Sequence, residues 1–460
     1  MTSNNTFSLS LQKQIQKNNI TFDSEINRAF NELNLKSLLN KSGIVKQRGY
    51  STVSILLLIV LLPFLKRTLF NFRSTNYIQN GLDAQKDAYY RFLNNERFNW
   101  RKLIYFVALK IISSCESTPL SQKVLIADDT IVPKTGKNME FVSYHFDHKV
   151  RRSILGNQCL QLGYHNGINF FPLDVAFNTS SKRPNSHCRE IDKRTNGWRR
   201  RKEALNKKTD ALVQMVDRAW ESGINASFVM FDSWFAHDDV ISRIYNIGYG
   251  VICRLKKGHV KYTYQGTPYT LKQLWHKVAK KKTTFIGKYQ IKEACLNVTL
   301  PKTGDVRILF VSDGKKQWHA FLCTDLEISG SEILDYYTRR WSIEVFFKDA
   351  KQMLYLGKEQ SKTFDAMVAG YSIVMLRYLL LVYIISKRRI IGPIGPLFRQ
   401  VSEKQVFLHM AEKMWAYVKE LIIRSSDILC FKIESDIVLN VLDIAGDILF
   451  GPDNLSTAKL

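Results

Sequence analysis

A phenol, a guanidinium, a carboxylate and an ammonium group recur at helical spacing late in the chain. Tyr337, Arg340, Glu344 and Lys351 form the pattern Y-x2-R-x3-E-x6-K. On a helix of about 3.6 residues per turn, this spacing brings the four side chains within about a 60° arc. A glutamate in such a stripe can hold a divalent metal ion while its cationic neighbours hold phosphates, as phosphodiester chemistry requires. A simple salt bridge between Arg340 and Glu344 is the structural alternative.

Further carboxylates follow apolar runs that are typical of buried strands. Asp128 and Asp129 end the run KVLIADD, and Asp232 ends the run ASFVMFD. Side chains at the carboxyl ends of strands often build a site, although an Asp there also caps turns routinely. Because successive strand residues face opposite sides, only one of Asp128 and Asp129 can point into a shared site. Together with Glu344, such carboxylates would suit two Mg²⁺ or Mn²⁺ ions, not zinc.

The charge balance favours a polyanionic partner. The chain has 460 residues, and its 67 Lys and Arg against 41 Asp and Glu leave a net charge of +26. Nucleic acid, and DNA above all, is the expected partner, although net charge alone identifies none. The segment 182–208 carries eleven Lys or Arg against three acids. We expect it to track phosphates, the alternative being a solvated loop. The basic residues singled out for DNA are Arg199, Arg200, Arg201, Lys202, Arg254 and Lys256.

Cysteine usage and hydropathy indicate a cytoplasmic protein without a membrane partner. Seven cysteines lie far apart with no C-x2-C pair, which predicts reduced core thiols. His187 and Cys188 lack a second pair of ligands nearby, so no zinc site is assigned. The apolar run 54–65 is too short to span a bilayer, and the run 367–385 carries Arg377 near its middle. Both runs are interpreted as buried helices, and the N-terminus has no signal-peptide pattern.

Hydrophobic periodicity predicts an α/β protein with five segments. Over residues 123–254 the predicted order is β-β-β-α-β-α-β, with short strands separated by turn-forming residues. The segments are an α-helical N-terminal domain as a candidate for DNA binding (1–115), the first part of a catalytic core (116–255), a β-rich insertion (256–329), a second part of the core with the helix of Glu344 (330–360), and an α-helical C-terminal region as a candidate for dimerisation (361–460).

These residues resemble the bacterial DDE transposases of the insertion-sequence four family, whose hallmark is the Y-x2-R-x3-E-x6-K signature. The likeness spans residues 120–355 and includes the DDT run at Asp128 and the FDSWF run at Asp232. It implies an RNase H-like mixed-sheet core, with Asp128, Asp232 and Glu344 as catalytic metal ligands. Tyr337, Arg340 and Lys351 would then contact DNA phosphates near the cut end. Asp128 is chosen over Asp129 because relatives have an Asp two residues before the Thr.

The resemblance implies excision of an element and insertion of its 3′-hydroxyl ends into target DNA. The partners would be the terminal inverted repeats, target DNA and a second copy of the chain in a synaptic homodimer. Trp234 or Trp341 is a candidate for stacking on a flipped base, with core packing as the favoured alternative. Two other functions stay open: a catalytically lapsed DNA-binding protein derived from a transposase, and an RNase H-like nuclease without strand transfer.

Overall fold

The chain divides into two compact units. The computed structural model describes residues 25–69, 86–115, 118–147, 150–180, 190–314, 317–358, 361–390, 392–428, 441–442 and 444–445. One unit comprises residues up to Asn94 and from Tyr383 onward, and the other comprises Asn95–Val382. Every residue of the expected site belongs to the second unit. His187 and Cys188, in the expected basic segment, lie outside the described residues.

The described part of the first unit is helical, as the sequence predicts for the N-terminal and C-terminal regions. Tyr383 and Lys387 both bond Oε2 of Glu32, at 2.9 and 2.6 Å. The helices of the whole chain are α1 Glu25–Glu32, α2 Leu35–Lys41, α3 Thr52–Leu61, α4 Lys86–Leu93, α5 Trp100–Ser114, α6 Asn196–Ala204, α7 Lys208–Glu221, α8 Asp238–Ile247, α9 Leu271–Lys277, α10 Gly330–Thr338, α11 Trp341–Gln352, α12 Phe364–Arg388 and α13 Ile394–Ile428.

The second unit is built on a mixed sheet to which twelve strands of the described residues contribute. The strands are β1 Val124–Pro133, β2 Ser143–Asp147, β3 Arg152–His165, β4 Phe170–Asn178, β5 Phe228–Phe231, β6 Gly250–Arg254, β7 Lys261–Tyr264, β8 Thr267–Thr270, β9 Thr284–Ile286, β10 Ile291–Leu300, β11 Gly304–Ser312 and β12 Trp318–Cys323.

The core has the predicted order of strands and helices except for two additional elements, β2 and α6. β1 pairs in parallel with β5 and β5 in parallel with β6, while β3 pairs antiparallel with both β1 and β4. β5 is buried at all four positions, as expected of a parallel strand covered on both faces. The observed mixed α/β architecture is consistent with the predicted RNase H-like fold. β2 is an additional strand that the sequence interpretation missed.

The predicted β insertion extends the same sheet. β12 pairs antiparallel with β6, β11 with β12, and β10 with β11. Along β10, four alternate residues from Ala294 to Leu300 are buried and those between are exposed, which is the pattern of a strand with one solvated face. The insertion is therefore anchored to the strand that ends at Arg254.

The two apolar runs form helices with buried side chains, as predicted. In α3, Ile55 and Leu56 are fully buried. Among the described residues α12 is long and apolar enough to cross a membrane, but 94% of its most apolar window is buried inside the protein. Arg377 in α12 is also buried and donates to the carbonyl oxygen of Leu354 at 2.8 Å. Length and composition alone are weak evidence for a membrane span.

Candidate active site

The parallel pairing of β1 and β5 places two of the predicted acids side by side. In the register of the two strands, Ile126 lies opposite Met230. Asp128 lies two residues further along β1, and Asp232 lies immediately after the last residue of β5, so the two acids lie near the same end of the paired segment. The charge of Asp232 raises the pKa of Asp128, so the two carboxylates interact. The expectation that Asp128 ends its strand is wrong, because β1 continues to Pro133. The parallel pairing with β5 stops at Ile126, and the two acids come together just beyond it although they are far apart in the sequence.

Arg340 joins the third predicted acid to this pair. Its Nη1 donates to Oδ2 of Asp128 at 2.9 Å, and its Nη2 donates to Oε1 of Glu344. The side chain of Arg340 is only 17% exposed, and those of Asp128 and Glu344 are 17% and 28% exposed. The salt bridge between Arg340 and Glu344 therefore exists, but it belongs to a partly buried cluster that also includes Asp128.

The four-residue stripe lies on two consecutive helices instead of the single predicted helix. Tyr337 belongs to α10, whereas Glu344 and Lys351 belong to α11. Arg340 is the residue immediately before α11, and its backbone is still in the right-handed helical region. The side chains of the stripe remain close together despite the break between the two helices. The guanidinium of Arg340 lies over the Tyr337 ring, 5.6 Å from its centroid.

The first and last residues of the stripe contact two different strands: Lys351 contacts β1 and Tyr337 contacts β12. Lys351 donates to Oγ1 of Thr130 at 2.7 Å, two residues beyond Asp128. The Tyr337 ring packs edge-on against Phe321 of β12, with centroids 4.7 Å apart. Burial raises the pKa of Tyr337 to about 12, so this phenol stays protonated and can donate a hydrogen bond at neutral pH.

The structure separates Asp128 from Asp129. Asp129 accepts hydrogen bonds from Lys208 at 2.6 Å and from Gln158 at 2.5 Å, away from Arg340. Lys208 was not singled out in the sequence, yet its ammonium lies 3.8 Å from the centroid of the Trp234 ring. Its position within the basic segment 182–208 was the available signal. Asp128 is therefore the member of the pair that reaches the cluster of Asp232, Arg340 and Glu344.

Burial dominates the protonation of Asp128. It raises the pKa of this carboxyl to about 6, even though Arg340 acts in the opposite direction, and the charge of Asp232 adds to the increase. A carboxylate that is held near neutrality by its surroundings is typical of functional sites, although structural ion pairs can produce the same shift. This carboxyl therefore holds its proton more tightly than an ordinary aspartate does.

Two of the predicted DNA contacts are corrected by the structure. Arg200 and Arg201, on α6, are only 8% and 7% exposed. Arg200 donates to the carbonyl oxygen of Val175 at 2.9 Å, and Arg201 pairs with Glu140 at 2.6 Å and Asp365 at 2.8 Å. These guanidinium groups are used internally and do not track phosphates. Arg199 and Lys202 on the same helix are exposed.

Two further predicted DNA contacts and the two tryptophans face solvent. Arg254 and Lys256 are exposed, and Nη2 of Arg254 lies 2.8 Å from Nδ1 of His319. Trp234 and Trp341 are 46% and 64% exposed. The core-packing interpretation favoured for both tryptophans is therefore wrong. Among the described cysteines, all five are free thiols, and Cys295 is exposed.

The donor set has the chemistry of a divalent metal site. Asp128, Asp232 and Glu344 offer only carboxylate oxygens, which hard cations such as Mg²⁺ and Mn²⁺ prefer. Within the described part of the chain, no group of three or more His, Cys, Asp or Glu side chains is arranged to hold a metal ion. Arg340 provides the positive charge between two of these carboxylates. In the described structure Arg340 therefore occupies two of the three carboxylates.

Fold and site together define an RNase H-like protein with an acidic cluster at one edge of its sheet. Comparison with known protein families gives two matches, and both indicate a more specific class of protein. The family described as DDE superfamily endonuclease matches residues 56–277, and the family described as transposase DDE domain matches residues 201–380. The first match contains Asp128 and Asp232, and the second contains Asp232 and Glu344. These matches support a DDE transposase with endonuclease-type activity. A search of curated proteins gave no match.

Proposed function

We propose that the chain is a transposase of the insertion-sequence four family that cleaves the ends of an insertion sequence and joins them to target DNA. The observation that carries this proposal is that Arg340 binds both Asp128 and Glu344, while Asp232 lies near enough to Asp128 to influence its protonation. One partly buried guanidinium thus links an acid of β1 to an acid of α11, and the acid that follows β5 lies beside the first of them. The family matches and the basic net charge point to the same substrate, DNA.

Asp128, Asp232 and Glu344 are the proposed ligands of two Mg²⁺ or Mn²⁺ ions. When bound, such ions activate a water molecule and stabilise the oxygen that leaves the phosphate. Tyr337, Arg340 and Lys351 hold the phosphates of the DNA end, and Thr130 orients Lys351 through their hydrogen bond. Two copies of the chain pair the two ends. The protein acts in the bacterial cytoplasm, at the nucleoid.

The experiment uses purified full-length protein and DNA bounded by the short inverted repeats that flank the reading frame. With Mg²⁺ present, we expect cleavage at the repeat ends and joining of the 3′ ends to a second duplex, both visible on a sequencing gel. Asp128→Asn, Asp232→Asn and Glu344→Gln are expected to abolish both products while DNA binding persists.

Asp129→Asn is the matched control, since it removes a neighbouring carboxylate that faces Lys208 instead of Arg340. It is expected to retain cleavage and joining. Undiminished cleavage by Asp232→Asn or Glu344→Gln would show that the site is assigned wrongly. Cleavage without joining identifies a nuclease without strand transfer, and binding without cleavage identifies a lapsed transposase; each contradicts the proposal.

A further inference from the structure

The stretch from Arg254 to Lys292 contains no acidic residue. Its 39 residues include eleven Lys or Arg and no Asp or Glu, and they begin at the end of β6 and run into β10. All eleven are exposed. Concentrated positive charge on a surface attracts polyanions by releasing their counterions. The stretch belongs to the β insertion, to which the proposed catalytic chemistry gives no role.

The positive charges begin beside the candidate active site. Arg254 and Asp232 both influence the protonation of Tyr337, so Arg254 lies near the acidic cluster. Partial burial lowers the pKa of Lys257, and the like charges of Arg254 and Lys272 lower it further, so the three groups interact. Like charges held close together oppose folding. A bound polyanion would remove that repulsion, so the grouping of these charges favours a polyanion-binding site.

Buried tryptophans fix the lysines of this group. Lys257 lies 4.1 Å from the centroid of the Trp318 ring, and Trp318 stacks on Trp275 with centroids 5.5 Å apart. Trp275 and Lys272 are three residues apart on α9, so their side chains lie on neighbouring parts of one helix face. Trp318 therefore positions Lys257, and Lys272 lies on the helix that carries the stacked Trp275.

Two tyrosines continue the pattern on the hairpin of β7 and β8. Tyr264 and Tyr269 lie on the same face of this hairpin, because Tyr262 is paired with Tyr269 and stands two residues before Tyr264. Lys277 lies over the Tyr269 ring at 5.7 Å, and Nζ of Lys282 is 3.1 Å from the hydroxyl of Tyr264. We call Arg254, Lys257, Lys272, Lys277 and Lys282 the basic strip.

We propose that the basic strip binds the sugar-phosphate backbone of duplex DNA next to the reacting end, independently of base sequence. This inference rests on the proposed function, since it takes DNA to be the substrate. The aromatic rings that lie beneath the strip lysines favour duplex over single strand. Trp275 and Trp318 are 6% and 7% exposed, and Tyr264 and Tyr269 each lie beneath a lysine. Single-strand recognition requires exposed rings on which bases stack, whereas lysines held over covered rings suit a phosphate backbone.

The test measures binding of the full-length protein to a duplex and to a single strand of random sequence by fluorescence anisotropy, in EDTA and over a series of salt concentrations. Lys257→Gln combined with Lys272→Gln is compared with Lys288→Gln combined with Lys302→Gln. The control pair removes the same charge from the same insertion, but Lys288 and Lys302 form salt bridges with Asp335 and Asp239. Strip neutralisation is expected to reduce the slope of log K against log salt by about 1.8, at ~0.9 per phosphate contact. The control pair should leave the slope unchanged.

Thermal unfolding provides a second readout that a structural role would not reproduce. The strip variant should unfold at the same temperature as the wild type or higher, since it relieves repulsion among Arg254, Lys257 and Lys272. Equal loss of DNA affinity in both variants would reduce the effect to net charge and overturn the proposal. Loss of single-strand binding alone would overturn the duplex assignment. Because EDTA prevents cleavage, these results are independent of whether the acidic cluster proves catalytic.

Discussion

Nη1 of Arg340 lies 2.9 Å from Oδ2 of Asp128, although 212 positions separate the two residues in the chain. The same guanidinium also binds Glu344, so it occupies two of the three proposed metal ligands. A cation that enters the site must compete with Arg340, whereas a DNA phosphate offers the guanidinium another anionic partner. This competition gives metal affinity and catalysis opposite dependences on Arg340.

Arg340→Gln should therefore strengthen metal binding and weaken catalysis. In the DNA-free protein, Mn²⁺ affinity measured by electron paramagnetic resonance is expected to rise several-fold. Cleavage of end-containing DNA should fall by ~10²-fold or more, the usual effect of removing one positioned donor to a developing charge. Arg340→Lys keeps the positive charge, so its Mn²⁺ affinity and its cleavage rate are expected to lie between those of the wild type and Arg340→Gln. Weaker Mn²⁺ binding in Arg340→Gln would show that the guanidinium does not compete with the ion.

Metal binding is expected to be linked to the proton of Asp128. Because burial raises the pKa of this carboxyl to about 6, a substantial fraction is protonated at pH 6 in the metal-free protein. Metal ions bind the deprotonated form, so Mn²⁺ affinity should rise with pH through about 6 and level off above pH 7. At pH 5 the affinity should be ~10-fold below its plateau. Asp128→Asn should bind weakly and without this pH dependence.

Arg201 should matter for stability and not for DNA affinity. It is buried between Glu140 and Asp365, and removal of one partner from a buried ion pair leaves uncompensated charge. Arg201→Gln is expected to lower the free energy of unfolding by ~3–5 kcal/mol. Arg199→Gln, on the exposed side of the same helix, should change it by less than about 0.5 kcal/mol. Urea unfolding compares the two variants, and equal effects would contradict the assignment.

The meeting of Asp128 and Asp232 was easier to predict from the sequence than the burial of the arginines in the run RRRK. Asp128 and Asp232 each follow an apolar run, and these runs pair in parallel, so the local pattern indicated that the acids meet even though β1 continues beyond Asp128 to Pro133. The partners of Arg201 lie 61 and 164 positions away. No local pattern reveals such partners, and four consecutive basic residues resemble a phosphate-binding segment whether or not they are buried.

The break between α10 and α11 is likewise not encoded in the local sequence pattern. The spacing of Tyr337, Arg340, Glu344 and Lys351 fits one helix, and the backbone remains near-helical through Arg339 and Arg340. The stripe was therefore predictable from the 3.6-residue period, whereas the helix boundary was not. The insertion was predicted to be antiparallel, but its attachment to β6 depends on the pairing of β12 with β6, which local sequence does not encode.

The last prediction concerns Asp349, a buried carboxylate on α11 outside the acidic cluster. Asp349 is only 8% exposed, and within the described structure its Oδ2 has no hydrogen-bond partner. Burial raises the pKa of Asp349 to about 6, although Lys348 acts in the opposite direction. The folded state therefore binds this proton more tightly than the unfolded state does. Stability contributed by the proton is present at about pH 4 and is lost as pH rises through about 6.

Asp349→Asn removes the ionisation and should raise the free energy of unfolding at pH 7.5 by ~1–3 kcal/mol. The gain should shrink as pH falls and vanish near pH 4, where the wild-type carboxyl is protonated. Asp335→Asn is the control with the opposite sign: although partial burial raises the pKa of Asp335, hydrogen bonds from Lys288 and Tyr289 lower it overall. Urea unfolding at pH 4, 5.5 and 7.5 measures both variants. A gain for Asp349→Asn that does not change with pH would mean that packing, and not the buried charge, sets its stability.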